Sequence, residues 1–183
     1  MVFDNLNDFI AHDKLADAVI ISHYDLLHYD TAQVLLVKGY DVLVETPVAN
    51  SLDGLVHLKE YSLKNKDRLF MVAYNNRYSS FYTKLKEIVD DKKLGDLINI
   101  SYNVDIGYQN FVHNYVRGNW RITSDTATIM LTNSCQDIDM MINLSKGKCQ
   151  KVSCFSDLRI FNWENFNTKM SENCFRCSEE ESC

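Results

Sequence analysis

Three cysteines near the end of the chain have a spacing that could bind a metal ion. Cys174 and Cys177 form a C-x-x-C pair, and Cys183 follows after five further residues. A C-x-x-C pair is a common half of a zinc site, so the fourth ligand would be Cys149, Cys154 or a residue beyond Cys183. Reduced free thiols are the favoured interpretation, and zinc is therefore not expected.

A second group that could do chemistry is a cationic and aromatic segment, H-N-Y-V-R-G-N-W-R, at residues 113–121. Its charged and aromatic members could hold an anionic or sugar-like substrate: His113, Arg117, Trp120 and Arg121. The alternative is a packed loop with no ligand, which the residues by themselves favour.

Composition and charge narrow the class of protein. The chain has 183 residues, 46% of them hydrophobic, which is typical of a globular protein with a substantial core. A net charge of −6 argues against a nucleic-acid or anionic membrane surface. No apolar run approaches the roughly 20 residues of a membrane span, and the acidic N-terminus is not a secretory signal. Six cysteines without such a signal are expected to stay reduced in the cytoplasm.

The elements that must position these groups are clearest between residues 17 and 47. The short apolar runs 17–22 and 41–45 predict strands buried in a parallel sheet. Residues 29–37 have helical spacing, and Gly39 follows at the place of a helix C-cap. A strand, a helix and a second strand form a βαβ unit, which predicts a right-handed crossover between parallel strands.

The other predicted elements follow the same two periodicities. In chain order they are a helix over 5–15, a helix from the cap Ser51 to about 66, a strand over 69–74, a helix from Ser79 or Ser80 to about 91, an open-sheet segment over 97–106, a helix over 127–144 and a strand over 151–161.

Seven residues of the βαβ region also match the spacing of a known family pattern: Ser22, His28, Ala32, Gly39, Val42, Glu45 and Pro47. Four later segments match further motifs in the same order: N-N-R-Y (75–78), L-G-D-L-I-N-I-S (94–101), H-N-Y-V-R-G-N-W-R (113–121) and N-S-C-Q-D-I-D-M-M (133–141). The chain resembles the Gfo/Idh/MocA oxidoreductases over nearly all of its length.

The resemblance implies an α/β fold in two parts. Residues 1–78 would be the second half of a Rossmann parallel sheet, with strands four to six of the usual six. Residues 79–183 would be the start of an α+β substrate and oligomerisation domain. The first βαβαβ of the Rossmann domain has no counterpart here, and no G-x-G-x-x-G turn occurs in the sequence. Such a turn brings the backbone close to a dinucleotide pyrophosphate, so binding of NAD or NADP by this chain is in doubt.

The resemblance also assigns roles to positions. The lysine of the family's E-K-P turn and a histidine of a later helix move the hydroxyl proton, and here these positions are Thr46 and Gln136. Neither side chain titrates near neutral pH, so neither can act as a general acid or base. The Thr46–Pro47 bond is predicted to be cis, as in the family turn. The cofactor side would be formed by Ser22, His28, Glu45 and Pro47, and the substrate side by Arg77, Tyr78 and the 113–121 segment. Without a cofactor, His28 could equally be a helix-entry residue that binds the local backbone.

Two classes of function follow and both stay open. The first is an oxidoreductase homologue, with ancestral hydride transfer between NAD or NADP and a sugar or polyol, inactive as this chain. The second is a non-catalytic remnant or partner-binding protein that retains the fold. Either is expected to be a cytoplasmic protein that contacts neither nucleic acid nor membrane, and a homo-oligomer is an open possibility.

Overall fold

The computed structural model describes residues 1–124, 126–165, 168–171 and 173–181. The chain forms two compact units, Met1–Lys148 and Cys149–Cys183. The predicted domain division after residue 78 follows the family pattern and stays a prediction. Within the described residues, no helix combines the length and apolar character needed to cross a bilayer.

The first unit is built around a parallel sheet of three strands. The strands are β1 (Ala18–Ile21), β2 (Asp41–Val44) and β3 (Phe70–Val72), and they lie in the order β1-β2-β3. Val42 of β2 is opposite Val19 on one side and Phe70 on the other. The predicted parallel α/β sheet is confirmed.

The core forms where two helices cover this sheet. Helix α2 (His28–Val37) packs against β1 and β2 and also contacts α3 (Leu52–Lys64). The most buried apolar side chains of the cluster are Ile21, Leu35, Leu36, Tyr40, Val42, Val44 and Leu58. Burying a side chain of this size stabilises a fold by about 1.5–3 kcal/mol, so the βαβ run is the main source of stability in the unit.

The turns between these elements use the residues that the sequence indicated. Gly39 has a φ of +88°, a left-handed conformation that a residue with a Cβ rarely adopts, and it directly follows the C-cap of α2. Ser51 caps α3 by accepting a hydrogen bond from the Gly54 amide at 3.1 Å. Ser79 caps α4 (Ser80–Asp90) through the Tyr82 amide at 3.2 Å. These three predictions are confirmed.

A smaller apolar cluster lies between α4 and a later helix of the same unit. Tyr82, Met140 and Leu144 are its buried members, and the Tyr82 hydroxyl donates to the Met140 carbonyl at 3.4 Å. The helices that follow α4 are α5 (Tyr108–Phe111), α6 (Ile129–Thr132) and α7 (Ser134–Ser145). The predicted helix over 127–144 is thus two helices, interrupted at Asn133, whose φ of −102° and ψ of −49° leave the regular helical geometry.

Two predicted strands are wrong, and the predicted first helix is too long. Residues 97–106 and 151–161 alternate apolar and polar side chains, yet neither forms a strand. A strand is held by hydrogen bonds to a neighbouring strand, and no described residues pair with these segments. Helix α1 spans only Leu6–Ala11, because the backbone becomes extended at His12, whose ψ is 159°.

The second unit has little regular structure. Its described elements are two 3₁₀ turns, Trp163–Asn165 and Cys174–Arg176. Most of its large apolar side chains are exposed, with Phe155 at 96% and Phe175 at 97%. In its described part, the second unit therefore has no hydrophobic core of its own.

Candidate functional site

A cleft of about 540 Å³ lies at the carboxyl ends of β1 and β2, where ligands bind in open parallel α/β sheets. Six residues predicted from the sequence line it: Ser22, His28, Glu45, Thr46, Pro47 and Trp120. Another six lining residues were not predicted: His23, Tyr24, Asp25, Asn114, Tyr115 and Thr132. The β1–α2 loop and the segment 114–132 therefore supply walls of the same cleft.

The two positions to which the resemblance assigns proton transfer are hydrogen-bonded to each other, and Thr46 lines the cleft. The Gln136 amide nitrogen donates a hydrogen bond to the Thr46 hydroxyl at 3.2 Å, across 90 residues of sequence. The Gln136 carbonyl oxygen accepts from the Asn76 amide at 3.4 Å. Both side chains are neutral hydrogen-bonding groups, so this pair cannot exchange a proton near neutral pH.

Cys135 lies beside this pair and does not replace the missing base. Burial raises the pKa of the Cys135 thiol, and hydrogen bonds from Thr46 and the Gln136 backbone oppose that shift. A raised pKa keeps the thiol protonated near neutral pH, where only the thiolate would be nucleophilic. Cys135 is therefore a packed side chain of α7.

His28 joins two loops at the floor of the cleft. The side chain is 2% exposed, and its Nδ1 and Nε2 lie 2.8 Å from the carbonyl oxygens of Pro47 and His23. Both ring nitrogens face protein atoms, so the ring has no free nitrogen for a ligand. The arrangement supports the helix-entry interpretation, in which His28 orients the turn that carries Thr46.

The Thr46–Pro47 peptide bond is cis, as predicted. Pro47 is buried, and Glu45 is half-buried with its carboxylate 3.5 Å from the Asn75 side-chain amide. Ser22 is exposed at the end of β1 and lines the cleft. The four predicted cofactor-side residues therefore lie together, although their role toward a cofactor stays a prediction.

Arg77 and Tyr78 are in the 3₁₀ turn Asn75–Tyr78 and do not line the cleft. The Arg77 guanidinium donates two hydrogen bonds to the Asp139 carboxylate, at 2.5 and 2.6 Å. The hydrogen bonds to Asp139 raise the pKa of Arg77, so the guanidinium is charged throughout the physiological range. The Arg77–Asp139 hydrogen bonds tie this turn to α7, while Tyr78 is 70% exposed.

Of the four charged and aromatic residues predicted in the segment 113–121, only Trp120 lines the cleft, together with the neighbouring Asn114 and Tyr115. The segment begins with a π-helical turn, Val112–Val116, and then reverses at Gly118. A Cβ on Gly118 would lie 2.1 Å from the His113 carbonyl oxygen, so glycine alone permits this close approach. His113, Arg117 and Arg121 are exposed and lie outside the residues that line the cleft.

Of the three predicted metal-ligand side chains, the structure describes only that of Cys177. Among the described residues, no group of three or more His, Cys, Asp or Glu side chains could hold a metal ion. Cys183 lies outside the described residues, so the three-cysteine pattern stays a prediction. Hydrogen bonds from the backbone at Ser171 and Glu179 lower the pKa of Cys177.

The fold and the cleft define a class: a parallel α/β domain with a cleft at the carboxyl ends of its strands, where such sheets bind ligands. Residues 1–74 match the profile of the GFO_IDH_MocA family, described as an oxidoreductase family with an NAD-binding Rossmann fold. The resemblance drawn from the motifs is confirmed by this match, which covers the first 74 of the 183 residues.

Curated relatives and solved structures agree with this assignment. An inositol 2-dehydrogenase of Gluconacetobacter diazotrophicus is 26% identical over 98 residues, which is 54% of this chain and 29% of that protein. The inositol 2-dehydrogenase of Salmonella typhimurium strain LT2 is 24% identical over 139 residues, 69% of this chain and 41% of that protein. The crystal structure of myo-inositol 2-dehydrogenase from Lactobacillus plantarum has a TM-score of 0.63 at 20% identity, over 79% of this chain and 41% of that one.

These matches cover only part of each relative. The chain spans less than half the length of these relatives. The apo scyllo-inositol dehydrogenase of Lactobacillus casei, with a TM-score of 0.60 at 20% identity over 79% of this chain and 40% of that one, is likewise similar in fold. These likenesses show the fold, and the family profile matches the first 74 residues.

Proposed function

We propose that this chain is a polyol-binding homologue of the NAD-dependent oxidoreductases that does not itself carry out hydride transfer. The observation that carries the proposal is the hydrogen bond between Gln136 and Thr46 at the cleft. The cleft lies where the fold class binds its ligands, while the pair at its centre consists of two groups that do not titrate. Inositol dehydrogenases among the relatives make a cyclic polyol the first ligand to test.

The chemistry of alcohol oxidation explains why the Thr46–Gln136 pair decides whether the chain can transfer a hydride. Oxidation of a secondary alcohol sends a hydride to the nicotinamide ring and the hydroxyl proton to a base. A base is effective when its pKa lies near the working pH, which a lysine or histidine can meet and a threonine or glutamine cannot. The cleft also contains His23 and His28, but both rings are already engaged: His23 contacts the Tyr24 carbonyl and the Thr31 hydroxyl, each at 3.0 Å.

Several finer points belong to the same proposal. The cofactor of the fold class would be NAD or NADP, held on the side of Ser22, His28, Glu45 and Pro47. The domain boundary near residue 78 would separate this side from the substrate side. A homo-oligomer is supported by β1, an edge strand whose Ile20 is 68% exposed. Reduced cysteines favour the cytoplasm.

The proposal is tested by measuring binding and turnover on the same 183-residue chain. We expect calorimetric titration with myo-inositol to give saturable binding, and NADH formation from NAD and myo-inositol to stay at background. The double variant Thr46→Lys with Gln136→His should also stay at background, since turnover further requires a held cofactor. Absence of binding to any cyclic polyol, or NADH formation by the unmodified chain, would refute the proposed function.

A further inference from the structure

Two buried polar atoms of the cleft residues have no hydrogen-bond partner in the described part of the chain. Asp25 is 6% exposed, and its Oδ2 accepts a hydrogen bond from the Ala127 amide at 3.2 Å. Its second oxygen, Oδ1, is buried and has none. The indole Nε1 of Trp120 is likewise buried without a partner. Both residues line the cleft, one from each of its walls.

Most other polar groups that line the cleft are already engaged. The two ring nitrogens of His28 face carbonyl oxygens, and the Thr46 hydroxyl accepts from Gln136. The Tyr115 hydroxyl lies 2.8 Å from the Thr132 hydroxyl and also accepts from Asn133. Among the buried side-chain polar atoms of the lining residues, one acceptor on Asp25 and one donor on Trp120 are left without a partner in the described part of the chain.

Buried polar atoms without partners are rare, because burial removes the hydrogen bonds that water would provide. Their presence in a cleft indicates that a ligand supplies the partners. A hydroxyl group satisfies both atoms, since it donates to a carboxylate and accepts from an indole N–H. A carboxylate or phosphate would be repelled by Asp25, and an ammonium group would leave the indole N–H unpaired. The Tyr24 and Trp120 rings, with centroids 6.1 Å apart, add an apolar surface for the C–H groups of a ring.

We propose that Asp25 and Trp120 form a hydroxyl-binding subsite of the cleft, which fixes one ring hydroxyl of a cyclic polyol. The subsite rests on the proposed function for its ligand, but its residues are separate from the Thr46–Gln136 pair. Asp25 accepts from the ligand hydroxyl through Oδ1, and Trp120 donates to it through Nε1. Both act as binding residues and take no proton from the ligand.

The experiment compares matched variants of the full chain by calorimetric titration with myo-inositol. Asp25→Asn replaces the carboxylate acceptor by a neutral amide and should weaken binding by about tenfold or more, as expected for a hydrogen bond to a charged group. Trp120→Phe removes the indole N–H and keeps a smaller aromatic ring, and it should weaken binding by about three- to tenfold. Asp30→Asn, on the exposed side of α2, and Trp163→Phe, 86% exposed, are the matched controls and should leave binding unchanged.

Glycerol and putrescine separate failure of the subsite from failure of the proposed function. Unchanged inositol binding in both Asp25→Asn and Trp120→Phe overturns the subsite and leaves the proposed function standing. If no cyclic polyol binds, but glycerol binds the wild type and not Asp25→Asn, the hydroxyl-binding subsite stands and the cyclic-polyol ligand of the proposed function is refuted. Binding of putrescine in preference to both polyols, or of neither polyol, overturns the subsite. Circular dichroism of each variant checks that it is folded, and Trp120→Phe provides an answer that does not depend on Asp25→Asn.

Discussion

The surroundings of each cysteine predict its reactivity. Cys135 is half-buried, and burial raises the pKa of its thiol, so less thiolate is present at a given pH than for an ordinary cysteine. The exposed Cys154 is the reference. We expect iodoacetamide to label Cys135 more slowly than Cys154 at neutral pH, with the gap narrowing as pH rises toward the raised pKa. Peptide mass spectrometry measures both rates, and faster labelling of Cys135 would contradict the packing around α7.

The Arg77–Asp139 pair predicts a loss of stability on a charge-conserving change. Lysine keeps the positive charge but cannot make the two parallel hydrogen bonds that Arg77 makes. Because the arginine side chain is 39% exposed, solvent screening lowers its contribution, and we expect Arg77→Lys to reduce the free energy of unfolding by about 1 kcal/mol.

Urea unfolding of the chain measures this difference. The matched control is Lys84→Met, which removes an exposed pair with Glu87 on a single helix and should change stability little. An equal effect of the two substitutions would show that the Arg77–Asp139 pair does not hold the 3₁₀ turn against α7.

Residue types alone predicted only some of this site. The family pattern assigned Thr46 and Gln136 to one site, and their side chains are hydrogen-bonded to each other, while their role in that site stays a prediction. The sequence did not predict Asp25 as a site residue, since a single aspartate before a helix is ordinarily a solvated residue. Its role depends on the Ala127 amide, 102 residues away, and only the folded chain brings the two together.

The reversal after the π-helical turn is the element that positions Trp120. Alanine at residue 118 would place its Cβ 2.1 Å from the His113 carbonyl, a backbone atom that cannot move without opening the turn. We expect Gly118→Ala to destabilise the unit by about 1–3 kcal/mol, as overpacking does. It should also weaken myo-inositol binding, because Trp120 follows two residues later.

Gly107→Ala is the control for this change, since a Cβ there meets no atom within 4 Å. Urea unfolding and calorimetric titration are measured on both variants. Wild-type stability and binding in Gly118→Ala would show that the reversal is not needed to hold Trp120.

The hydrophobic pattern predicted strands correctly where the fold also provides a neighbouring strand to pair with. The apolar runs of β1, β2 and β3 pair with one another and are covered by helices, so pattern and packing agree. The segment 97–106 has an equally good alternating pattern but no neighbouring strand among the described residues. Alternation reports a half-buried strand only when another strand supplies its hydrogen bonds, and a single sequence does not indicate which strand that is.

For the molecule as a whole, the sequence predicts how tightly the chain binds a dinucleotide. Residues 1–183 contain no G-x-G-x-x-G turn, so we expect no micromolar dissociation constant for NAD or NADP with this chain in calorimetric titration. Placing the first βαβαβ segment of an inositol dehydrogenase relative before Met1 should restore binding. The same segment with its turn glycines replaced by alanine is the control, and micromolar binding by the unmodified chain would require a different phosphate site.

The central claim is that the cleft binds a polyol while the Thr46–Gln136 pair cannot take its proton. NADH formation from NAD and myo-inositol by the chain carrying the grafted βαβαβ segment tests it most directly, because the cofactor is then held. The account predicts background rates with Thr46 and Gln136 in place, and turnover only when Thr46→Lys and Gln136→His are both added. Turnover by the grafted chain with Thr46 and Gln136 unchanged would contradict it.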